Sequence, residues 1–213
     1  MTNVLVIKAN NRPDGVSTKM YETYIEEAKK VEGVNLTTYD VFAEDTPYFG
    51  QDLFNAFGKV QNGEELTEVE ARLLAAKQKA MDAVSAADIV VIAFPLWNQT
   101  IPAKLQTFID YIYSVGFMFK YSPEGQMIQL LTDKKFVVLN ARGGYYNTPE
   151  AQSMEMAVNY VKNIFGGIAG MTLLDEVIIE GHNANRSEAQ EIISKGIENV
   201  KASAKKLAAT VNA

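Results

Sequence analysis

The sequence predicts an α/β protein with a doubly wound parallel sheet and helices on both faces. Three short runs of apolar, mostly β-branched residues are typical of strands buried on both sides; they are Val4–Ile7, Ile89–Phe94 and Phe136–Leu139. Segments with the 3.6-residue apolar period of helices separate these runs, and such alternation indicates a parallel sheet. With 213 residues, the chain is expected to form one domain over 1–213.

Two weaker strands and five helices complete the pattern. Val34–Tyr39 alternates like a half-covered strand, and Leu173–Ile179 is apolar apart from two carboxylates. The predicted helices are Ser17–Lys30, Glu65–Ala86, Ala103–Tyr113, Pro149–Phe165 and Ser187–Val211. Five strands fit the flavodoxin-like strand order better than the six-stranded dinucleotide-binding fold.

Two segments stand outside this repeat. Phe42–Gly63 is aromatic and contains scattered glycines, and it predicts a long loop that can include a helical turn. Phe117–Leu131 predicts a small hairpin around Ser122–Gly125. Long aromatic loops in compact domains often bind ligands or contact a second subunit, so both roles remain open.

The composition excludes several classes of function. Lys and Arg number 20 against 26 Asp and Glu, the net charge is −6, and no basic cluster is present, so nucleic acid is not expected as a partner. The chain has no cysteine and a single histidine, His182, which excludes thiolate chemistry and multi-histidine metal centres. No metal is predicted, and any redox chemistry requires a bound organic cofactor.

The apolar segments predict a cytoplasmic protein without membrane attachment. The first eight residues contain only four apolar residues in a row and no basic leader, unlike a signal peptide. The longest apolar stretch, Ile89–Trp97, is far shorter than the ~18 residues that a membrane span requires.

Ligands of open parallel sheets bind beyond the carboxyl ends of the strands, and the loop after the first strand is polar there. Ser17 and Thr18 are good N-cap residues, and the free N–H groups of a helix start attract an anion such as phosphate. Lys19 adds a positive charge. A plain cap at Ser17 is the competing interpretation. Neither G-x-G-x-x-G nor the P-loop pattern occurs, so a monophosphate fits better than a dinucleotide or a triphosphate.

The loop after the third strand contains the only tryptophan, Trp97, between Pro95, which ends the strand, and Pro102, which can open the next helix. A flat conjugated ligand would use Trp97 as a wall and the backbone N–H groups of Leu96–Asn98 as donors. The alternative is that Trp97 packs under a loop and the prolines only shape a turn.

The loop after the fourth strand has the sequence NARGG. Gly143 and Gly144 lack a Cβ, so their backbone can approach a ligand closely; alternatively, they form a tight turn. All three loops are expected at one edge of the sheet. His182 follows the fifth strand and could reach this edge, but a lone histidine is more often a structural loop residue, so it receives no catalytic role. The sequence also offers no Ser/His/Asp set.

Four blocks of sequence, VLVIKANNRPDGVSTK, FPLWNQTIPAKLQTFIDY, FKYSPEG and LNARGG, resemble in this order and spacing the FMN-dependent NADH-azoreductase family. The resemblance extends to VIIEGHN near the end of the chain. It implies a single flavodoxin-like FMN-binding domain, NADH or NADPH as the electron donor, and quinones or aromatic azo compounds as acceptors. It also implies ping-pong hydride transfer through the flavin without a catalytic side chain. The implied assembly is a homodimer, with Tyr121 and Phe42–Gly63 as candidate contacts.

The resemblance also implies the residues of the site. The cofactor contacts are expected at Asn10, Ser17, Thr18, Lys19, Pro95, Leu96, Trp97, Asn98, Gln99, Asn140, Ala141, Arg142, Gly143 and Gly144. The candidates for the substrate pocket are Phe119, Tyr121 and Tyr146. Gly143 and Gly144 are the first choice for N–H donors to the pyrimidine edge of the flavin. Some members have Met-Tyr-Asn-Phe where this chain has Leu-Trp-Asn-Gln, Ser in place of Ala141, and Ser in place of Asn10.

The main alternative is a flavodoxin-like electron carrier that binds FMN and passes single electrons to a protein partner. Such carriers are usually shorter and more acidic, and they do not need the aromatic segments Phe42–Gly63 and Phe117–Leu131. A carrier-protein hydrolase is a third interpretation, but the sequence shows no catalytic set for it. NADH oxidation with a small quinone and no protein partner distinguishes the enzyme from the carrier.

Overall fold

The structure is a computed structural model that describes residues 1–211, and it confirms the predicted fold class. The strands are β1 (Thr2–Lys8), β2 (Val34–Asp40), β3 (Ile89–Pro95), β4 (Phe119–Tyr121), β5 (Met127–Gln129), β6 (Lys135–Arg142) and β7 (Thr172–Glu180). The helices are α1 (Val16–Ala28), α2 (Gln51–Asn62), α3 (Glu68–Ala86), α4 (Ala103–Ile112), α5 (Pro149–Gln152), α6 (Val158–Lys162), α7 (Ala189–Lys205) and α8 (Ala208–Val211). A π-helix at Asn163–Ile168 continues α6.

Five parallel strands form the main sheet in the order β2-β1-β3-β6-β7. The chain passes from β1 outward to β2 on one side and then continues through β3 on the other side. The loops after β1 and β3 therefore flank the point where the strand order reverses, which is where such sheets bind ligands.

Apolar side chains cover both faces of the sheet. Ile7, Ile92 and Val138 lie on the face that α2, α3, α4 and α6 cover, whereas Val91 and Leu139 lie on the face under α1 and α7. Every residue of β3, the central strand, is buried. This two-sided burial explains why β1, β3 and β6 are continuous apolar runs without alternation.

The prediction of a long loop over Phe42–Gly63 is wrong in its second half, where α2 lies. Leu53 and Ala56 face the core, and Gly63 ends the helix with a positive φ of 70°. The spacing of three positions between these two residues was the available sequence signal for a helix. Exposed large apolar side chains on α2 concealed it, because apolar residues then occur on both faces of the helix. The hairpin within Phe117–Leu131 is confirmed, since β4 and β5 pair antiparallel.

Two predicted helices are interrupted. Within Pro149–Phe165, α5 ends at Gln152 and α6 begins at Val158. The Glu155 carboxylate accepts the N–H groups of Ala157 and Val158, so a side chain replaces the backbone acceptors of a continuous helix. The last predicted helix is likewise split into α7 and α8, with a break at residues 206–207.

Candidate functional site

The first loop closes around the start of α1. Gly15 is the N-cap, so the prediction of a cap at Ser17 or Thr18 is wrong. No side chain caps this helix, and the backbone N–H groups of Val16, Ser17 and Thr18 donate to no acceptor within residues 1–211. Three parallel donors at the positive end of a helix dipole are an arrangement that attracts anions such as phosphate.

Buried side chains hold this loop in place. Asn10 donates its Nδ2–H to Ser17 Oγ at 2.8 Å, and the Thr18 hydroxyl donates to the carbonyl of Arg12, also at 2.8 Å. A Cβ on Gly15 would lie 2.3 Å from Asn10 Nδ2, so only glycine fits there without a shift of Asn10. These side chains shape the loop and leave its N–H groups available, while Lys19 is exposed beside them.

The second loop forms a two-residue hairpin turn. Trp97 and Thr100 exchange both backbone hydrogen bonds, at 2.9 and 3.0 Å. The two central residues, Asn98 and Gln99, have φ of 50° and 68°, which is the pattern of a type I′ turn. Positive φ is costly for a residue other than glycine, and such strain is concentrated at functional sites.

Only part of the predicted donor set of this loop is available. Leu96 donates its N–H to Ala141 O at 2.9 Å and Trp97 donates to Thr100 O, so the prediction of ligand donors is wrong for these two residues. The ladder between β3 and β6 continues to Leu96, and the turn uses the N–H of Trp97. In the part of the chain that the structure describes, the N–H groups of Asn98 and Gln99 have no acceptor.

The third loop is packed against the loop that follows β7. Gly143 O accepts the N–H groups of Asn183 and Ala184, both at 3.0 Å. A Cβ on Gly143 would lie 2.3 Å from Asn183 Nδ2, so the glycine is required by this packing. The N–H groups of Gly143 and Gly144 donate to no acceptor among the described residues.

The three loops meet at one edge of the sheet, as predicted, because β1, β3 and β6 are adjacent and parallel. Ala9 donates to Ala93 O at 2.9 Å and links the first loop to β3, and the Leu96–Ala141 bond links the second to the third. Buried Asn140 donates its Nδ2–H to Phe94 O at 3.1 Å, while its Oδ1 has no donor within residues 1–211.

Several predicted residues have other surroundings than expected. The Arg142 guanidinium is paired with the carboxylates of Glu155 and Glu180 and lies 5.4 Å from the Tyr146 ring, so its charge is already matched within the protein. Phe119 is 4% exposed and packs in the core, whereas Tyr121 is 58% exposed. The Phe119 and Tyr121 rings meet edge to face, with centroids 5.7 Å apart. Within one chain, Phe119 is therefore a core residue beneath Tyr121 and does not line an open pocket.

A cleft of about 750 Å³ lies beside Trp97. Its walls include Phe42, Tyr48, Trp97 and Lys104, and the Phe42 ring meets the Trp97 ring edge to face at 6.1 Å. Sequence reasoning placed Phe42 and Tyr48 in a candidate binding segment without assigning them to this cleft. Their approach to Trp97 joins residues about 50 positions apart and has no local signal in the sequence.

Neither a metal site nor a membrane-spanning helix is found in residues 1–211. No three His, Cys, Asp or Glu side chains lie close enough to hold an ion, and no helix is long and apolar enough to cross a bilayer. His182 lies at the edge of the sheet that carries the three loops, and burial lowers the pKa of its imidazole.

Comparison with known proteins places this arrangement in a family. The chain matches a family model described as a flavodoxin-like fold over residues 2–204. The chain belongs to this flavodoxin-like family. Within it, the FMN-dependent NADH:quinone oxidoreductase 3 of Bacillus thuringiensis subsp. konkukian (strain 97-27) is 45% identical over 201 residues, which cover 93% of this chain and 96% of that protein.

Solved structures of the flavodoxin-like family give the same result. The azoreductase of Bacillus anthracis str. Sterne has a TM-score of 0.87 and 44% identity, and the match covers 97% of this chain and 100% of that chain. An FMN-dependent NADH-azoreductase from Bacillus anthracis str. Ames Ancestor, solved in complex with FMN, has a TM-score of 0.88 and 25% identity, covering 98% and 100% of the two chains. These matches confirm the family resemblance drawn from the four sequence blocks.

Proposed function

We propose that this protein is an FMN-dependent NADH:quinone oxidoreductase that also reduces aromatic azo compounds. The observation that carries the proposal is a set of unpaired backbone donors from three loops at one edge of the sheet. Relatives with 44–45% identity along nearly the whole chain are an NADH:quinone oxidoreductase and an azoreductase. The residues at this edge fit FMN in both shape and charge.

The start of α1 suits the phosphate of FMN. The N–H groups of Val16, Ser17 and Thr18 would each donate to a phosphate oxygen, and the helix dipole and Lys19 would balance its charge. Asn10 holds Ser17, and Gly15 leaves the space that Asn10 occupies, so the loop keeps these donors together. One set of donors at one helix start supports a monophosphate.

The second and third loops suit the ring. Trp97 would cover part of the flat ring system, and the N–H groups of Asn98, Gln99, Gly143 and Gly144 would donate to its polar edge. When bound, FMN supplies the redox chemistry by taking a hydride from NADH and giving it to the acceptor. Fixed N–H donors stabilise negative charge that develops on reduction, and they do so without reorganisation at the moment of transfer.

We also propose that the active form is a homodimer of single-domain chains over 1–213. The family model spans 2–204, which supports one domain. Large apolar side chains are exposed on α2 and beside the hairpin, and a second copy would cover them: Tyr48, Phe54, Phe57, Val60, Tyr113, Val115 and Tyr121. Light scattering should show a particle of two chains, and a stable 23.5 kDa particle with full activity would contradict the dimer.

We place the proposed enzyme in the cytoplasm, where its proposed donor NADH is held and regenerated. Cell fractionation of the native host tests this location. Recovery of the protein and its NADH-dependent activity in the membrane fraction would contradict it.

The first experiment is an absorbance spectrum of the purified protein, followed by anaerobic addition of NADH and then of a quinone. Flavin bands that bleach with NADH and return with quinone are the expected result. Bands that bleach with neither NADH nor NADPH would favour the electron carrier, and no FMN binding after added FMN would overturn the assignment of all three loops. Parallel double-reciprocal lines are expected, because the donor and the acceptor use one site in turn.

A further inference from the structure

A buried ion cluster lies directly behind the third loop. Arg142, the last residue of β6, is 8% exposed, and its Nε and Nη2 groups donate to Glu180 Oε2 at 3.0 and 2.9 Å. Its Nη1 lies 3.9 Å from Oε1 of Glu155, which is 7% exposed. The guanidinium is thus held between two carboxylates that belong to different segments of the chain.

Glu180 connects this cluster to the third loop. The same Oε2 atom that accepts from Arg142 also accepts the backbone N–H of Tyr146 at 3.2 Å. The next residue, Gly181, donates its N–H to both Arg142 O and Gly144 O at 3.1 Å. The backbone at Gly144 is therefore held by its own carbonyl, which accepts from Gly181, and two residues later by the bond from Tyr146 to Glu180.

Glu155 connects the cluster to the second loop. Its Oε1 accepts the N–H groups of Ala157 and Val158, at 3.1 and 2.8 Å, and so fixes the segment before α6. Met156 lies within that segment and donates its N–H to Gln99 O at 2.9 Å. The carbonyl of Gln99 belongs to the strained turn that presents the unpaired N–H groups of Asn98 and Gln99.

We propose that Arg142 is a positioning residue that holds the second and third loops in a common register. It touches neither cofactor nor substrate. It fixes Glu155 and Glu180, and through them the Gln99 and Gly144 backbones, so that the N–H donors of both loops point to one ring. A catalytic site requires such support, because a displacement of about 1 Å can cost about hundredfold in rate.

A role in stability alone would not explain the arrangement. Replacing a buried ion pair with apolar side chains is often neutral or stabilising, so the pair is a poor device for stability by itself. Here Glu180 accepts from the guanidinium and also from the N–H of Tyr146. Glu155, whose Oε1 faces the guanidinium at 3.9 Å, accepts the N–H groups of Ala157 and Val158. At metal sites, loss of the partners that orient the ligands typically changes affinity or activity about ten- to hundredfold, and we expect an effect of the same order here.

Two variants test the proposal. Arg142→Lys keeps the positive charge but cannot reach both carboxylates with a planar fork. Glu155→Gln keeps an oxygen acceptor for the N–H groups of Ala157 and Val158 and removes the charge that faces Arg142. Lys134→Met is the control, since Lys134 is buried just before β6, at the end of the strand opposite Arg142, and donates to the carbonyls of Ser85 and Ala87.

The measurements are the Kd of FMN for the FMN-free protein, the amide NMR signals of Gln99 and Gly144 in that protein, and Tm. We expect both variants to shift these signals and to raise the Kd about ten- to hundredfold. The control should lower Tm and leave the signals and the Kd unchanged.

Variants that lower Tm like the control, with the two amide signals and the Kd unchanged, would overturn the proposal. Glu155→Gln decides the question if Arg142→Lys does not fold. Because the inference rests on the proposed function, the wild-type chain is titrated first. Failure of the wild type to bind FMN would contradict the proposed function, while the amide signals would still decide whether Arg142 couples the loops.

Discussion

The first loop, at the start of α1, is held differently from the second and third loops, which follow β3 and β6. We call these last two the ring-side loops, because they are proposed to face the flavin ring. The first loop is closed by neighbours in sequence, since Asn10 binds Ser17 and Thr18 binds Arg12. The ring-side loops are held from a distance, through bonds such as Gln99 to Met156. A locally closed loop forms with α1 itself, whereas the ring-side loops need the sheet, α6 and the loop after β7 to be in place.

This difference predicts distinct responses to mutation. Damage to the first loop should come mainly from inside the loop, because in the described chain its one bond to a distant segment is the bond from Ala9 N–H to Ala93 O at its beginning. Damage to the ring-side loops can come from residues that touch no ligand. One substitution should have its largest effect in the local loop.

Gly15→Val should weaken FMN binding most strongly. The new Cβ would lie 2.3 Å from Asn10 Nδ2 and would separate Asn10 from Ser17, which moves the three N–H donors of the helix start. A misplacement of about 1 Å can cost about hundredfold, and we expect a rise of this size in the Kd of FMN. Titration of the FMN-free protein by flavin fluorescence measures it.

Gly58→Ala is the matched control for this variant. A Cβ at Gly58, inside α2, meets no atom within 4 Å. Alanine should therefore stabilise the fold by about 0.5–1 kcal/mol through helix propensity and leave the Kd unchanged. Equal Kd values for Gly15→Val and wild type would show that the start of α1 is not the phosphate site.

Met156→Pro should weaken FMN binding by about tenfold. Proline removes the N–H that donates to Gln99 O, one of the bonds holding the second loop from a distance, and a hydrogen bond of this kind contributes about 0.5–1.5 kcal/mol. Met156→Ala retains the N–H and should bind FMN like wild type, because the bond to Gln99 O comes from the backbone and the side chain is half-exposed. Identical affinity in all three proteins would contradict long-range support of this loop.

The same contrast explains what sequence reasoning could and could not predict. β1, β3 and β6 are continuous apolar runs, so the parallel sheet and the edge that carries the site follow from local pattern. The helix start near Ser17 was also found, although its cap is Gly15, which offers no side chain to identify it. Arg142 was assigned to the flavin through its motif, but its partners Glu155 and Glu180 lie 13 and 38 positions away, and no local pattern joins them.

Gln99→Val should reduce the free energy of unfolding by about 1–2 kcal/mol, because a β-branched residue adopts positive φ with difficulty. Gln99→Gly is the control, since glycine adopts this conformation freely and keeps the turn. Urea unfolding of both variants measures the effect. If the valine and glycine variants had the same free energy of unfolding, the turn would not need a positive φ at Gln99. The backbone of the second loop would then be held less firmly than the contacts of the Arg142 cluster imply.

The smallest expected effect concerns pH and the loop after β7, which supports the third loop. Burial lowers the pKa of His182 below 6.5 in the folded protein, and its Nδ1 has no partner within residues 1–211. The unfolded chain therefore binds a proton at this side chain near pH 6.5, whereas the folded chain binds it only at lower pH. Above about pH 6.5, His182 therefore does not lower the free energy of unfolding. Below that value, protonation of His182 in the unfolded chain lowers this free energy progressively as the pH falls.

His182→Gln removes this titration and keeps a polar side chain at the position. Between pH 7.5 and 5.5 we expect the wild type to lose more stability than the variant, while the carboxylates, which titrate lower, affect both proteins alike. Urea unfolding at several pH values in this range measures the difference. If stability depended on pH in the same way in both proteins, the imidazole would titrate as in the unfolded chain. The loop that contains Asn183 and Ala184 would then open to solvent more readily than its hydrogen bonds to Gly143 indicate.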